Sequence, residues 1–183
     1  MKIYVVRHGQ DDPTVRGGWS SCPLTPIGIR QSEALAEKLA SNFCLGRVCS
    51  SDLLRAQQTA EIIARRLNLP VEPMAGFREV NNGSLAGLDN ATADKKYPGL
   101  YWKSLGFSEH YPNGESPKEF YERVSLAYEN FVFSLTDCDS DTVLVTHGGV
   151  INVISSIVQN EPYSNQKTYP KIPCAEIAME IEV

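Results

Sequence analysis

Short apolar runs alternate along the chain with longer segments of helical periodicity. Two of these runs, Ile3 to Val6 and Val143 to Val145, are rich in β-branched residues, which is typical of buried strands. Weaker patterns of the same kind cover Arg47 to Ser50 and Leu69 to Pro73. The four runs predict strands of one sheet.

Amphipathic segments with helical spacing separate the strands. Thr25 can cap the first of them through its hydroxyl, and Pro26 suits a first helical turn, where a missing N–H costs nothing. The predicted helices run from Pro26 to about Asn42, from near Asp52 to Leu67, from Ser116-Pro117 to about Leu135, and from Val150 to Val158. Because strands and helices alternate, we expect an α/β fold with three layers, in which helices cover both faces of a mostly parallel central sheet.

Two regions are less regular. Glu176 to Val183 alternates apolar and other residues, which predicts a last strand with one solvated face; its apolar positions are Ile177, Met179, Ile181 and Val183. Turn signals at Asn82-Gly83, Pro98-Gly99 and Asn113-Gly114 mark residues 76–114 as an inserted lobe with short helices at most. We expect one domain, residues 1–183, that carries this lobe.

Composition narrows the class of protein. The chain has 183 residues, 42% of them hydrophobic, which is enough for one sizeable core. Its net charge of -5 argues against binding nucleic acid. Neither a signal-peptide pattern nor a membrane-length apolar run is present, and the cysteines are not spaced as a metal or redox pair; they are Cys22, Cys44, Cys49, Cys138 and Cys174. We expect a cytoplasmic protein with no metal and no nucleic-acid or membrane partner, and the oligomeric state stays open.

Glycine-flanked histidines follow the two strongest strands, in Arg7-His8-Gly9 and in Thr146-His147-Gly148-Gly149. Since the carboxyl ends of parallel strands meet at one sheet edge, we expect His8 and His147 to share a site. A neutral His8 imidazole can attack phosphorus while Arg7 binds phosphate oxygens. The amide of Gly148 and the dipole of the following helix suit the same anion. The alternative for each histidine is a hydrogen-bonded residue in a tight turn.

Phosphoryl transfer also needs further positive charge and a proton for the leaving oxygen. Arg55, in the first turn of the second helix, can reach over the sheet edge toward the anion, although such arginines are often solvated surface residues. Glu79, beside a turn, can donate a proton when it is partly desolvated. An ion pair with Arg78 is the alternative for Glu79.

Six segments, in this order, resemble the histidine phosphatase superfamily, also called the phosphoglycerate mutase-like family. They are Arg7-His8-Gly9; Pro23-Leu24-Thr25 with Gly28 and Gln31; Ser51-Asp52-Leu53 with Arg55-Ala56 and Gln58-Thr59-Ala60; Arg78-Glu79 with Gly83 and Gly87; Gly114-Glu115-Ser116; and Thr146-His147-Gly148-Gly149. The resemblance implies that His8 is the nucleophile and becomes phosphorylated, and that Arg7, Arg55 and His147 bind the transferring group. It implies that Glu79 is the proton donor and that neither a metal nor another cofactor is needed.

The loop from Gln10 to Pro23 departs from that family's pattern. Gln10, Asp11 and Asp12 stand where family members commonly have Glu-Thr, and the loop holds no asparagine to contact phosphate. Thr14 or Ser20 could replace it. The candidates for contact with the rest of the substrate are Gln10, Arg16, Trp19 and Ser20, with ordinary loop packing as the alternative for Trp19.

Several functions are compatible with these residues. We favour a phosphomonoesterase that acts on a small phosphorylated metabolite, because the mutases of the family are generally longer than 183 residues. A mutase-type phosphotransferase remains an alternative, and it would have to shield its phosphohistidine from water. A protein phosphohistidine phosphatase is a narrower variant of the first idea. A catalytically silent phospho-ligand module is disfavoured, since the nucleophile, both arginines, the acid and the second histidine are all present.

Overall fold

In a computed structural model, which describes residues 1–135 and 140–183, a five-stranded sheet has the order β3-β2-β4-β1-β5. The strands are β1 (Lys2–Arg7), β2 (Leu45–Ser50), β3 (Val71–Pro73), β4 (Asp141–Thr146) and β5 (Ile177–Glu182). The first four are parallel, and β5 runs antiparallel to β1 at one edge. The predicted mostly parallel sheet is confirmed. Cys138 lies outside the described residues.

Helices cover both faces of the sheet: α1 (Pro26–Asn42) and α2 (Leu54–Leu67) on one, α4 (Pro117–Phe133) and α5 (Gly148–Val158) on the other. Side chains alternate across a strand, so β1 contributes to two cores. Tyr4 and Val6 pack toward α1 and α2, whereas Ile3 and Val5 pack toward α4 and α5. The three-layer α/β fold predicted from the alternating elements is confirmed.

The helix starts follow their sequence signals. Thr25 Oγ1 accepts a hydrogen bond from the Gly28 amide at 3.1 Å, and Pro26 occupies the first turn of α1, as predicted. Ser116 and Glu119 form a reciprocal capping box at the start of α4. Among the helices of residues 1–135 and 140–183, none combines the length and the hydropathy of a membrane span.

Residues 76–114 contain the short helix α3 (Asn90–Lys96) and single 3₁₀ turns, which agrees with the expectation of short helices at most. The segment has a small apolar cluster of its own, formed by Leu85, Leu105 and Tyr111. This lobe leaves the sheet just after β3 and so begins near the carboxyl ends of the strands.

The expectation of one apolar face on β5 is wrong. Val5 pairs with Met179 and Val6 with Ile177, so β5 has an extra residue, a bulge, at this point. Ile177 therefore packs toward α1 and α2, while Met179 and Ile181 pack toward α4 and α5. Val183 lies beyond the strand and is 44% exposed.

Candidate active site

The carboxyl ends of β1, β2 and β4 bring the predicted site residues together. The His8 amide donates to the Thr146 carbonyl and the Ser51 amide to the Val145 carbonyl, each at 2.9 Å. The register therefore places His8, Ser51 and His147 side by side at one sheet edge. The ring centroids of His8 and His147 are 5.0 Å apart, and both side chains are buried. One tetrahedral anion can contact both rings.

Hydrogen bonds fix the tautomer of His8. Its Nδ1 lies 2.6 Å from the Gly9 carbonyl oxygen, which can only accept, so Nδ1 carries the proton. Nε2 then holds a lone pair, and it accepts a hydrogen bond from Arg55 Nε at 3.2 Å. The unprotonated nitrogen of His8 therefore lies beside a guanidinium, as a nucleophile toward phosphorus requires.

Arg55 is buried, with 2% of its side chain exposed. The alternative interpretation, a solvated surface arginine, is therefore wrong. Its Nη2 donates to the Gly18 carbonyl at 2.8 Å, and its Nη1 lies 3.4 Å from both the carbonyl and the hydroxyl oxygen of Ser20. Asp11 Oδ2 is 3.3 Å from Nε and forms an ion pair with it. The loop between β1 and α1 thus wraps the guanidinium.

Two buried nitrogen atoms beside these groups have no hydrogen-bond partner among the described residues: Arg7 Nε and His147 Nδ1. Arg7 is anchored through its Nη1, which donates to the Ile172 carbonyl at 2.5 Å. A Cβ built on Gly148 would lie 3.9 Å from Arg7 Nε, so the start of α5 adjoins this guanidinium. Buried polar atoms without partners are costly, so these two nitrogen atoms are free to donate to a ligand.

Ser51 contacts the second histidine. Ser51 Oγ and His147 Nε2 are 2.8 Å apart, and Ser51 Oγ also accepts from the Leu53 amide at 3.3 Å. A serine hydroxyl that donates to Nε2 places the imidazole proton on Nδ1. His147 Nδ1 is then a donor that an anion can use.

Glu79 lies at the start of α5. Its carboxylate accepts from the Val80 amide at 3.1 Å and from the Gly149 amide at 3.2 Å. A Cβ on Gly149 would lie 2.3 Å from Glu79 Oε1, so only glycine permits this approach. The carboxyl group of Glu79 therefore lies at the N-terminus of α5. Arg78 instead pairs with Asp52, at 2.5 and 2.6 Å, so the alternative of a Glu79–Arg78 ion pair is wrong.

The backbone around Glu79 is held by two side chains from elsewhere. Arg123 on α4 donates to the carbonyls of Gly76, Arg78 and Glu79 at 2.9–3.2 Å. Trp19 Nε1 donates to the Glu79 carbonyl at 2.7 Å. These contacts fix the position of Glu79 relative to the sheet edge.

Burial controls the charge of both histidines. Desolvation, followed by the nearby Arg55, lowers the pKa of His8 to about 3, and the same causes hold the pKa of His147 well below its usual value. Burial also lowers the pKa of Arg55, while the charges of Asp11 and Glu79 raise it. At neutral pH the site thus combines neutral imidazoles with guanidinium cations.

The loop residues predicted to contact substrate lie in different surroundings. Ser20 is buried against Arg55. The Thr14 hydroxyl donates to Asp12 in an exposed turn. The Gln10 side chain accepts from the Thr25 hydroxyl, and the Gln10 amide donates to Gln31, so Gln10 contacts α1.

Arg16 and Trp19 are both occupied by neighbouring side chains. Arg16 pairs with Asp94 at 2.5 Å and covers the ring of Tyr101, which ties the loop to the inserted lobe. Trp19 lies under the Arg78 guanidinium at 4.7 Å. Packing within the protein accounts for the position of Trp19.

Sequence reasoning missed four residues that shape this site: Asp11, Ser51, Thr59 and Arg123. Thr59 Oγ1 accepts from the Gly9 amide at 3.0 Å. Ser51 and Thr59 stand in segments that the family resemblance covered, which was the available signal. Gly9 packs closely against α1, since a Cβ there would lie 2.5 Å from the Gly28 carbonyl oxygen.

Within residues 1–135 and 140–183, no group of three or more His, Cys, Asp or Glu side chains is arranged to hold a metal ion. The charged groups that act on His8 are the guanidiniums of Arg55 and Arg7. Such groups can neutralise a phosphoryl group and position it for attack.

Known proteins of similar sequence and structure carry phosphate-related names. A probable phosphoglycerate mutase of Proteus mirabilis is 34% identical over 168 residues, which are 88% of this chain and 76% of that protein. A mycobacterial glucosyl-3-phosphoglycerate phosphatase, solved with vanadate, is 30% identical with a TM-score of 0.77, and the match covers 95% of this chain and 88% of that one. A putative alpha-ribazole-5'-P phosphatase of Escherichia coli is 25% identical with a TM-score of 0.75, covering 88% and 81% of the two chains.

The family model described as histidine phosphatase superfamily (branch 1) matches residues 3–181, which is nearly the full chain. The match includes every segment on which the resemblance rested. The protein belongs to branch 1 of the histidine phosphatase superfamily.

Proposed function

We propose that the protein is a metal-independent phosphatase that hydrolyses small phosphorylated metabolites through a phosphohistidine at Nε2 of His8. One observation carries the proposal: a neutral imidazole lone pair lies among Arg55, Arg7 Nε and His147 Nδ1, of which the last two have no partner among the described residues. A phosphoryl dianion supplies the acceptors that these donors lack.

In the first step the Nε2 lone pair of His8 attacks phosphorus and the P–O ester bond breaks. Arg7, Arg55 and His147 bind the non-bridging oxygens and neutralise the charge that they carry. Protonated Glu79 gives its proton to the departing ester oxygen, so the alcohol leaves neutral. The products of this step are the free alcohol, a Glu79 carboxylate and phosphorylated His8.

In the second step water attacks the phosphorylated His8. Glu79, now a carboxylate, accepts a proton from that water as the new P–O bond forms and the P–N bond breaks. His8 is released with its lone pair on Nε2 and its proton on Nδ1, where the Gly9 carbonyl accepts it. Inorganic phosphate leaves, and Glu79 is again protonated.

The names of the solved relatives support the substrate class. Two of them, a glucosyl-3-phosphoglycerate phosphatase and an alpha-ribazole-5'-P phosphatase, are named for small phosphate monoesters. The named mutase relative keeps phosphotransfer as the rival reaction. Free thiols at Cys22, Cys44 and Cys174 support the cytoplasm as the compartment.

Replacing Glu79 with Gln tests the assignment of the acid. We expect kcat/KM for alkyl phosphates to fall by about a hundredfold or more, since an alkoxide needs a proton to leave, and kcat/KM for activated aryl phosphates to fall far less. Released orthophosphate is measured for both substrate types, with Glu33→Gln on exposed α1 as the control.

Equal losses on the two substrate types would remove Glu79 from the acid role. Transfer of the phosphoryl group to a second position of the substrate, with little orthophosphate released, would favour the mutase reaction over hydrolysis.

A further inference from the structure

A cavity of about 260 Å³ adjoins the phosphate site. Arg7 and Gly148 belong to its lining, and both also border the phosphate site as described above. Its other walls come from the inserted lobe around Trp102 and from the segment that follows α5. The part of a substrate beyond its ester oxygen therefore has a defined space next to Arg7.

The lining of this cavity is cationic. Arg7, Lys103, Lys167 and Lys171 contribute to it, and no acidic residue is among the described residues that line it. This contrasts with the net charge of -5 of the chain. A concentration of one sign of charge in a cleft of an oppositely charged protein selects ligands of the opposite charge.

The positive charges differ in how far they are neutralised. Lys167 forms an ion pair with Glu161, which lies outside the lining. Lys103 Nζ donates at 3.1 Å to Thr168 Oγ1, a neutral acceptor. Of the ion pairs among residues 1–135 and 140–183, none includes Lys103 or Lys171. No carboxylate therefore competes with a ligand for these two ammonium groups among the described ion pairs.

Buried hydrogen bonds and ring stacking hold the walls. Asn165 is 4% exposed and donates to the carbonyls of Trp102 and Leu105 at 2.8 and 2.9 Å, which joins the segment after α5 to the lobe. The rings of Tyr163 and Tyr169 stack with centroids 6.1 Å apart. A cavity whose walls are fixed in this way loses little freedom when a ligand binds.

We propose that this cavity binds a second anionic group of the substrate, with Lys103 and Lys171 as its ligands, so that the preferred substrates are phosphomonoesters with a further negative charge away from the ester. The inference rests on the proposed phosphatase function and adds the substrate class. The shared guanidinium of Arg7 links the two anion sites.

Matched substrates test this inference. The probes are ω-carboxyalkyl phosphates of increasing chain length and ω-hydroxyalkyl phosphates of the same lengths, with an activated aryl phosphate as the measure of phosphatase activity. The quantity compared is the ratio of kcat/KM for the carboxyalkyl ester to that for the hydroxyalkyl ester. At the best chain length we expect a ratio of about ten, which falls close to one in the double variant Lys103→Gln/Lys171→Gln. Lys38→Gln on α1 is the control and keeps the wild-type ratio.

A ratio near one in the wild type, or an unchanged ratio in the double variant, would overturn the inference while aryl phosphate hydrolysis upholds the phosphatase function. Absence of hydrolysis of every ester, the aryl phosphate included, would overturn both. Circular dichroism of each variant excludes misfolding, and the charge reversal Lys171→Glu gives an independent reading, since it should favour the hydroxyalkyl ester.

Discussion

The reactivity of His8 depends on which ring nitrogen carries its proton. The Gly9 carbonyl holds the proton on Nδ1, so the lone pair of Nε2 lies beside Arg55. Ser51 Oγ lies 2.8 Å from Nε2 of His147, and we infer that its hydroxyl donates to this nitrogen and leaves the proton of His147 on Nδ1. In the proposed mechanism the two neighbouring histidines have opposite functions: His8 attacks phosphorus and His147 donates a hydrogen bond to a phosphoryl oxygen.

Replacement of Ser51 by Ala should release the tautomer of His147. We expect kcat to fall by about tenfold, since a donor to the transferring group is then only partly populated. The ¹⁵N chemical shifts of His147 report the tautomer directly, and Ser51→Thr, which keeps a hydroxyl, should restore both the shifts and the rate. Unchanged shifts in Ser51→Ala would show that this hydroxyl does not determine the tautomer.

Helix α4 contributes to the site from a distance. Its Arg123 fixes the backbone carbonyls of the Gly76 to Glu79 segment and forms an ion pair with Glu115 at 2.7 Å. The backbone segment that carries Glu79 is therefore held by a helix that packs on the sheet face.

Loss of the Arg123 hydrogen bonds should have effects similar to a partial loss of Glu79 as the proton donor. Arg123→Gln is expected to slow alkyl phosphates more than aryl phosphates and to lower the free energy of unfolding by about 1–3 kcal/mol, because buried carbonyls lose their donors. The ratio of rates for the two substrate types and urea unfolding measure these effects, with Arg30→Gln on α1 as the control. A stability loss with an unchanged ratio would limit Arg123 to a structural role.

The elements that could be predicted from sequence are those with strong local signals. Strand-end histidines, the Thr25 cap and the placement of Arg55 in the first turn of α2 follow from periodicity and turn chemistry. The bulge that turns Ile177 to the other face of β5 depends on pairing with β1, which local alternation does not encode. The structure of the loop after Gly9 could not be predicted from local sequence either. Its contacts, such as Asp11 with Arg55 and Trp19 with Arg78, join residues that are far apart in sequence.

The fold as a whole keeps two uncharged histidines inside a protein at neutral pH. The folded pKa of His8, about 3, lies below its ordinary value of 6.5, so between these values the unfolded chain binds more protons than the folded one. Stability therefore rises with pH through that window and falls on acidification. The lowered pKa of His147 acts in the same direction.

Acidification from pH 7.5 to 5.5 should cost about 1 kcal/mol through His8 alone. Urea unfolding at the two pH values measures the loss, which we expect to be smaller by that amount in His8→Asn. His110→Asn, which removes an exposed histidine outside the site, is the control. An equal loss in wild type and His8→Asn would mean that His8 is not held uncharged by the fold.

The proposed mechanism depends on one covalent intermediate, phosphorylated His8. An activated aryl phosphate reveals it most directly, because the first step is fast with this substrate and the released aryl alcohol is visible. Rapid mixing with a ³²P-labelled ester, quenched in alkali where phosphohistidine survives, should give a burst of alcohol together with label on the peptide that contains His8. His8→Asn should show neither burst nor label, while His110→Asn should behave as wild type. Turnover without label at His8 in the wild type, or undiminished turnover in His8→Asn, would contradict the proposed mechanism.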